Sequence, residues 1–591
     1  MLMEWGPFES GVWTITQRKA NEEVSMITAT TGIARALETE GAAFVTLFPS
    51  CKINNAIGDE GKIPLLLMRD ERFGVGVADA FSRLSDGKRF GVCTLQGGVN
   101  CPGFQFGIPA ITQAFEDSSP VLCLTDAVNP ADSENSHYNI DRVAVNFTRW
   151  TSTIPLARRV PEFMARAYTF LKTGRPGPVL LQVPTSLGEY DEAQYPYKPV
   201  KGWKSQADPD DIKAAVKALL KAKKPVLYVG EGVFYADGCA ELLQFAELSQ
   251  IPVIATLKAK SVFPDTHPLS IGVRGEPAEH FLNTCDMILA IGSSLSSNRF
   301  SHKIPNAAGK TIIQCTIDNM DLNKSYMLDG ALIGDAKLVL RQLIDEFSRQ
   351  TGGGVKANPE LLEEIRGLKA RMFEKYKTAM TSNDNPINPF RVYNELQQIL
   401  DPKDSFLTSE SGGPRDQLST VYESVAPHSY LGWGNISTLG FSLAGVIASK
   451  IIHPDRPAIT VTGDAGLPYM IGNFEPTVRY KWGVTVIHIN NSGFAGYGKG
   501  PWGAGQEPYT ADVLPSDQCN LTKSMEGFGM HAERVTQPGE IGPAIGRALD
   551  ANAKKQPAYI EVICSLYPVW GVWAGMKPKG ASRSQTTVAT A

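Results

Sequence analysis

The sequence predicts an α/β protein built as three doubly wound parallel-sheet domains. Apolar runs of strand length alternate with amphipathic segments of helix length, the pattern of parallel strands joined by helical crossovers. The alternation falls into three blocks, 26–195, 207–350 and 386–570, with a Gly run and a Pro/Asn/Asp cluster marking 351–385 as a linker. At 591 residues the chain is also longer than a single hydrophobic core supports.

In the first block, residues 1–25 read as an N-terminal extension. Thr30 to Glu40 reads as a helix, Ala43 to Phe48 and Ile63 to Met68 as strands, and Phe73 to Ser85 as a helix. Arg89 to Leu95 is a strand, Pro109 to Phe115 a helix and Pro120 to Thr125 a strand, and TGRPGPVLLQVP closes the block. Glu71 directly follows an apolar strand and opens a helix, where a carboxylate gains a few tenths to about 1 kcal/mol from the helix dipole. His137 and Tyr138 lie in a polar loop, DSENSHYNIDR.

The middle block repeats capped helix, strand and glycine turn. Gly230-Glu231-Gly232 follows a strand, but no full GxGxxG continues it, so a dinucleotide turn is not indicated. Residues 351–385 are expected to bracket an exposed, charged helix that does not pack into a core. In the third block Phe390 to Ile399 is a helix and Ser405 to Leu407 a strand, followed by Ser409-Glu410-Ser411-Gly412-Gly413. FAGYGKGPWGAGQEPY, with Tyr497, Lys499 and Glu507, reads as a mobile cover, and 571–591 as an aromatic, then basic, tail or lid.

Composition excludes several classes. The chain is 43% hydrophobic and 20% charged, as soluble globular proteins are. A net charge of −4 gives no electrostatic case for nucleic acid or an anionic membrane surface. No apolar run reaches the length of a membrane span, and MLMEWGPFESGVWTITQRK lacks the basic and apolar regions of a signal peptide. Nine scattered cysteines without a CxxC fit reduced thiols, so a cytoplasmic protein is expected.

The chain is organised around Gly463 to Gly493. Apolar runs at Ala458 to Val461 and Val484 to Ile489 read as buried strands, and Leu467 to Tyr480 between them as a helix. Asp464 and Asn491 then stand just past the ends of two parallel strands, the edge at which open α/β sheets bind ligands. A carboxylate, an amide oxygen and a backbone carbonyl are hard oxygen donors of the kind Mg2+ takes together with phosphate oxygens. The Gly463–Gly466 turn allows close approach of a phosphate to backbone, with a helix N-terminus behind it.

Gly463-Asp464, with Asn491 following 27 positions after the aspartate, resembles the thiamine diphosphate motif of the acetolactate synthase and 2-oxo acid decarboxylase superfamily. Ala465 departs from the GDG form, and its methyl asks that the turn keep φ negative. The resemblance covers about residues 26 to 570 and implies pyrimidine-binding, central and diphosphate-binding domains in that order. It implies Mg2+ ligands at Asp464, the Asn491 side chain and the Gly493 carbonyl, and cofactor contacts from Gly463 through Gly466. DERFGVGVADAFSR followed by GVCTLQGG resembles the family's glutamate segment. Glu71 is then the cofactor-activating carboxyl, hydrogen-bonded to the aminopyrimidine N1′, in a dry pocket that raises its pKa. GWGNISTLGFSLAGVIASK resembles the family's GxMGFGLPAAIGAK segment, and the resemblance implies that Leu439 is the apolar wedge that bends the cofactor.

The segments on the substrate side depart from the family: Pro49-Ser50-Cys51 stands for PGG, and Gln96-Gly97-Gly98-Val99-Asn100 for SGPGATN. Ser50, Gln96, His137, Tyr497 and Glu507 are therefore the candidate substrate contacts. Around Arg299-Phe300 the paired acids of the family's flavin segment are missing, so FAD is not expected, while ADP or the nucleotide of CoA, with Lys324 nearby, remains open. The implied activity is a carbon–carbon bond lyase or carboligase acting on a 2-oxo acid or related carbonyl. The alternatives are a 2-hydroxyacyl-CoA lyase or oxalyl-CoA decarboxylase relative, and a non-catalytic regulatory paralogue that binds the cofactor. A homodimer or homotetramer is expected, with Glu71 of one subunit facing Asp464 and Asn491 of another.

Overall fold

A computed structural model describes residues 25–49, 51–98, 101–128, 138–297, 302–493 and 519–565. A short β1 (Met26–Thr28) pairs antiparallel with β8 (Glu189–Asp191). Between them lies a six-stranded parallel sheet: β2 (Val45–Leu47), β3 (Leu65–Leu67), β4 (Gly91–Leu95), β5 (Val121–Ala127), β6 (Trp150–Thr153) and β7 (Val179–Pro184), in the order 3-2-4-5-7-6. The central sheet has five parallel strands, β9 (Pro225–Val229), β10 (Val253–Ala255), β11 (Met287–Ile291), β12 (Thr311–Thr316) and β13 (Gly330–Ile333), in the order 10-9-11-12-13. The third again has six: β14 (Phe406–Ser409), β15 (Tyr430–Leu431), β16 (Ala458–Gly463), β17 (Val484–Asn490), β18 (His531–Val535) and β19 (Ala558–Ile563), in the order 15-14-16-17-19-18. Renumbered from their own first strands, the first and third sheets have the same order. The α/β fold class, three parallel-sheet domains, is thus observed.

Helices cover both faces of these sheets, which is why β5 and β17 are buried along their whole length and read as near-continuous apolar runs. The first and third sheets meet through two helices, Glu71–Arg83 and Phe441–Ile452. The contact is close because Gly76 has no side chain: a Cβ there would already touch Ala444 at 3.5 Å. Arg83, buried on this helix, bonds Asp79 and Asp117, and Asp117 in turn accepts from the Asn435 amide at 2.7 Å and lies 3.5 Å from Lys258 Nζ. One buried carboxylate therefore ties the three domains together.

Three local expectations need correction. The stretch Leu467 to Tyr480 is not one helix but two 3-10 turns, Leu467–Tyr469 and Ile471–Asn473, and a short helix, Phe474–Arg479. Pro468 and Pro476 remove the amide donors a continuous helix needs. The helix of the 351–385 segment, Pro359–Met380, does pack: Ile365, Leu368, Met372, Tyr376 and Met380, three or four apart, form a buried stripe under its charged surface. Charge on the outer face hid that stripe. The helix expected from Pro109 begins at Pro102 and carries Pro109 in its interior, and a helix at Ile53–Glu60 was not anticipated.

Candidate active site

The register of β16 on β17 sets Gly463 beside Ile489, so the turns after both strands emerge together. Asp464 Oδ2 accepts the backbone amides of Asn491 and Gly493, each at 3.1 Å. Its Oδ1 lies 2.8 Å from His488 Nε2, and His488 Nδ1 lies 2.8 Å from the Tyr559 hydroxyl. The Asp464 and His488 side chains are fully buried. Asn491 Oδ1 accepts from the Gly493 amide at 3.1 Å, while Asn490 turns its amide to Glu561 at 2.8 Å. The turn needs its last glycine: a Cβ at Gly466 would stand 2.2 Å from Glu410 Cγ. Ala465 stays outside the left-handed region, as its methyl requires.

Across the switch point of this sheet, between β14 and β16, the chain after β14 enters the Gly413–Val421 helix through Gly412 at φ 105°. A Cβ at Gly412 or Gly413 would meet nothing within 4 Å, so the space beside this helix N-terminus is open. Glu410 is buried beside it. Its Oε1 accepts from the Ser411 amide at 2.9 Å, and its Oε2 from the Gly440 amide at 3.1 Å and the Ser442 hydroxyl at 3.0 Å. Burial pushes this carboxyl up to about 7, against the pull of those donors. Glu410 thereby caps the Phe441–Ile452 helix, which has no side-chain cap of its own. Leu439, half-buried just before that helix, is also held from the first domain: its carbonyl accepts from Arg72 Nη1 at 2.9 Å. Arg72 Nη2 donates to the Tyr469 carbonyl at 3.0 Å, and the guanidinium stacks on the Tyr469 ring.

Glu71 opens its helix behind Asp70, which caps it by accepting from the Phe73 amide at 2.8 Å. Asp70 is braced in turn by the Asn473 side chain of the third domain, also at 2.8 Å. Glu71 is buried, and burial raises its pKa. Gly103 leaves room for it: a Cβ there would lie 2.4 Å from Glu71 Oε1 and 2.6 Å from the Gln96 amide. The structure thus brings Glu71 and Gln96 together. The Cys51 thiol donates to Asp126 Oδ1 at 3.5 Å, and the Lys52 amide lies 3.3 Å from the same oxygen. Burial raises the Asp126 pKa, and Gly98 donates to its carbonyl. Tyr138 packs on Phe104, ring centroids 6.3 Å apart. Ser50, His137, Tyr497, Lys499 and Glu507 lie outside the described residues, as do Arg299, Phe300 and the tail from 571.

Sequence reasoning missed His488, Tyr559, Glu410, Gly103 and Asp126. A signal existed for two: His488 interrupts the apolar run of VTVIHIN, and Glu410 ends an apolar strand where helix-facing amides follow. Gly103 and Tyr559 matter only through what lies against them in space.

A cavity of about 140 Å3 lies at the switch point between β9 and β11, lined also by Asp117 and Arg175 of the first domain and Trp433 and Asn435 of the third. Gly230 lets these strands' loops touch: a Cβ would fall 2.3 Å from the Gly292 carbonyl. Arg175 bridges Asp318 and Asp321, Lys258 bridges Asp117 and Glu231, and Lys324 reaches Ser296 at 3.1 Å and Asp321 at 3.5 Å. Among the described residues, then, the cations at this cavity are already matched by carboxylates.

The donor set after β16 and β17 fits Mg2+ and a diphosphate. It holds one oriented carboxylate, an amide oxygen and a backbone carbonyl, all hard oxygen, with an open helix N-terminus opposite. Among the described residues no three His, Cys, Asp or Glu side chains gather, so a metal held here would take its remaining ligands from phosphate and water.

Three family models match in chain order: "Thiamine pyrophosphate enzyme, N-terminal TPP binding domain" over 27–145, the "central domain" of the same enzymes over 212–343, and their "C-terminal TPP binding domain" over 411–562. The chain is 29% identical to a probable acetolactate synthase large subunit of Methanocaldococcus jannaschii, covering 90% of this chain and 91% of that protein. It is 26% identical to a glyoxylate carboligase of Escherichia coli O157:H7 (89% and 91%), and 24% identical to the acetolactate synthase isozyme 3 large subunit of Escherichia coli K12 (95% and 100%). The three matched domains, in this order and on these three parallel sheets, place the chain in the thiamine pyrophosphate enzyme family, as a thiamine diphosphate-dependent enzyme similar to acetolactate synthases.

Proposed function

We propose that the chain is a Mg2+-dependent carboligase or lyase that makes or breaks the carbon–carbon bond next to the carbonyl of a 2-oxo acid or a related small substrate. The observation that carries this is the Asp464 carboxylate, fully buried and oriented by the amides of Asn491 and Gly493 beside an open helix N-terminus. Asp464, the Asn491 side chain and the Gly493 carbonyl would hold Mg2+, and Gly463 to Gly466 with Gly412 and Gly413 would cradle the diphosphate. Leu439, pinned by Arg72 on one side and behind a helix capped by Glu410 on the other, would set the bend. The bound thiamine diphosphate supplies the electron sink for the carbon–carbon chemistry. Glu71, buried and with its pKa raised, would offer its carboxyl to the aminopyrimidine nitrogen. The domains divide accordingly: 26–195 for the pyrimidine, 386–570 for the diphosphate, 207–350 central. Gln96, with Cys51 and Asp126 across the β2/β4 switch point, would face the substrate.

The matched cations of the central cavity favour this reading over a CoA-dependent lyase, because among the described residues its lining cations are already paired with carboxylates. A homo-oligomer is part of the proposal. Asp464→Ala is expected to abolish Mg2+-dependent binding of thiamine diphosphate in calorimetry; retained binding refutes the assignment. Mixing Glu71→Gln and Asp464→Ala proteins should restore activity that neither has alone, because one of the two shared sites is then intact. No recovery from demonstrated hybrids refutes sharing between subunits.

A further inference from the structure

We propose that His488 and Tyr559 are positioning residues for Asp464, a two-residue relay that fixes the orientation of the metal-binding carboxylate. The proposal rests on the reading of Asp464 as a metal ligand. Its ground is geometric. Asp464 Oδ2 already accepts two backbone amides, so Oδ1 is the oxygen with capacity left. A carboxylate accepts, so the His488 nitrogen at 2.8 Å from Oδ1 carries the proton and donates. That leaves Nδ1 to accept from the Tyr559 hydroxyl, also at 2.8 Å. The hydroxyl therefore selects the ring tautomer, and the ring selects the carboxylate rotamer. One lone pair of Oδ1 stays available to a cation.

The arrangement is rigid. His488 lies within β17 and Tyr559 within β19, paired neighbours in the sheet, and both are buried. The ion pairs of the described residues give Asp464 no Lys or Arg partner; its charge is met by N–H groups alone. A carboxylate compensated only in this way attracts a cation strongly. Hydrogen bonds that orient a ligating group typically govern metal affinity by about 10- to 100-fold.

The test uses Mn2+ as the probe, titrated into full-length apoprotein saturated with thiamine diphosphate, with free Mn2+ read by EPR. His488→Phe keeps a ring but removes the donor, and should weaken Mn2+ binding by about 10- to 100-fold. Tyr559→Phe removes one oxygen and should weaken it in the same direction. His488→Gln, which restores an N–H donor, should recover most of the affinity. Mn2+ affinity within about twofold of wild type in both phenylalanine variants overturns the proposal, whatever their melting temperatures. If His488→Phe fails to fold, the tyrosine variant and the glutamine rescue decide alone. Asp464→Ala run in parallel separates the two levels. If it keeps Mn2+, the ligand assignment falls; if it loses Mn2+ and both phenylalanine variants keep it, only the relay falls.

Discussion

Gly103→Ala is a sharp perturbation because it adds one methyl group and nothing else. The methyl would sit 2.4 Å from Glu71 Oε1, whereas ordinary contact starts near 3.4 Å, so the gap must open by about 1 Å. On its other side the methyl meets the Gln96 backbone amide at 2.6 Å, which β4 holds in place. The Glu71 carboxyl yields most easily, while relief of the Gln96 contact needs a few tenths of an ångström of backbone movement at the start of the helix. A misplacement of about 1 Å at a reacting group costs on the order of 100-fold in rate, or about 2.7 kcal/mol in the barrier. Helix propensity works the other way, since alanine inside a helix is favoured over glycine by about 1 kcal/mol, so loss of the helix is not the expected cause. The assay is deuterium exchange at C2 of bound thiamine diphosphate, followed by NMR, with cofactor affinity measured beside it. Exchange should slow about 100-fold while affinity, anchored at Asp464 in another domain, changes little. Gly107→Ala, one turn further on the same helix, meets only methyl groups at 3.3 Å or more and should behave nearly as wild type. Wild-type exchange in Gly103→Ala would refute the placement of Glu71 as the proton-handling group.

Two further outcomes follow from buried charge. Asp117→Asn removes the carboxylate that Arg83 and Lys258 share, leaving each with its second partner, Asp79 and Glu231, and should lower stability by about 1.5–3 kcal/mol, read as an earlier first transition in urea. A loss below about 1 kcal/mol would mean that the cluster is not a structural clamp. Glu410 titrates near 7 in the folded chain against an ordinary 4.5, so its stabilising contribution is complete below about pH 4.5 and is lost as pH rises through 7. The difference, about 2.5 units, is worth about 3 kcal/mol. Glu410→Gln cannot titrate, so its stability relative to wild type should improve by up to about 3 kcal/mol between pH 5 and pH 8, and a flat difference would refute the shift.

The parts of this molecule that were legible in the sequence are those encoded by local order. β16 and β17 are apolar runs ended by Gly-Asp and Asn-Asn, and the position of Asp464 follows from that alone. The place of Glu71 at the opening of a helix behind an apolar strand was legible because strand, charged turn and helix are contiguous, whereas a role for it came only from the family resemblance. Residues whose role depends on a distant partner were not. Nothing near Glu410 in sequence announces that its acceptors face Gly440 and Ser442 thirty positions on, and Gly103 looks like any glycine until Glu71 is placed against it. The Pro359–Met380 helix misled for a different reason. Its apolar stripe is one residue wide per turn, so its charged majority dominated the reading although the stripe decides the packing.

The shared strand order of the first and third sheets explains why the candidate residues fall where they do. Each sheet has one switch point, between β2 and β4 in the first and between β14 and β16 in the third. Gln96 and Cys51 flank the first; Asp464 and Glu410 flank the second. A cofactor with a pyrimidine at one end and a diphosphate at the other needs one such edge for each end, set at a fixed separation. The helices Glu71–Arg83 and Phe441–Ile452 lock the two domains of one chain together. Arg72, next to Glu71, grips the carbonyl of Leu439, while Glu410 holds the amide of Gly440 one residue later. The segment around Leu439 is therefore clamped between the two sheets rather than carried by either. With Glu71 of one copy proposed to face Asp464 and Leu439 of another, the clamp makes each chain present both groups to its neighbour as one unit, so two sites built between two copies would share one geometry.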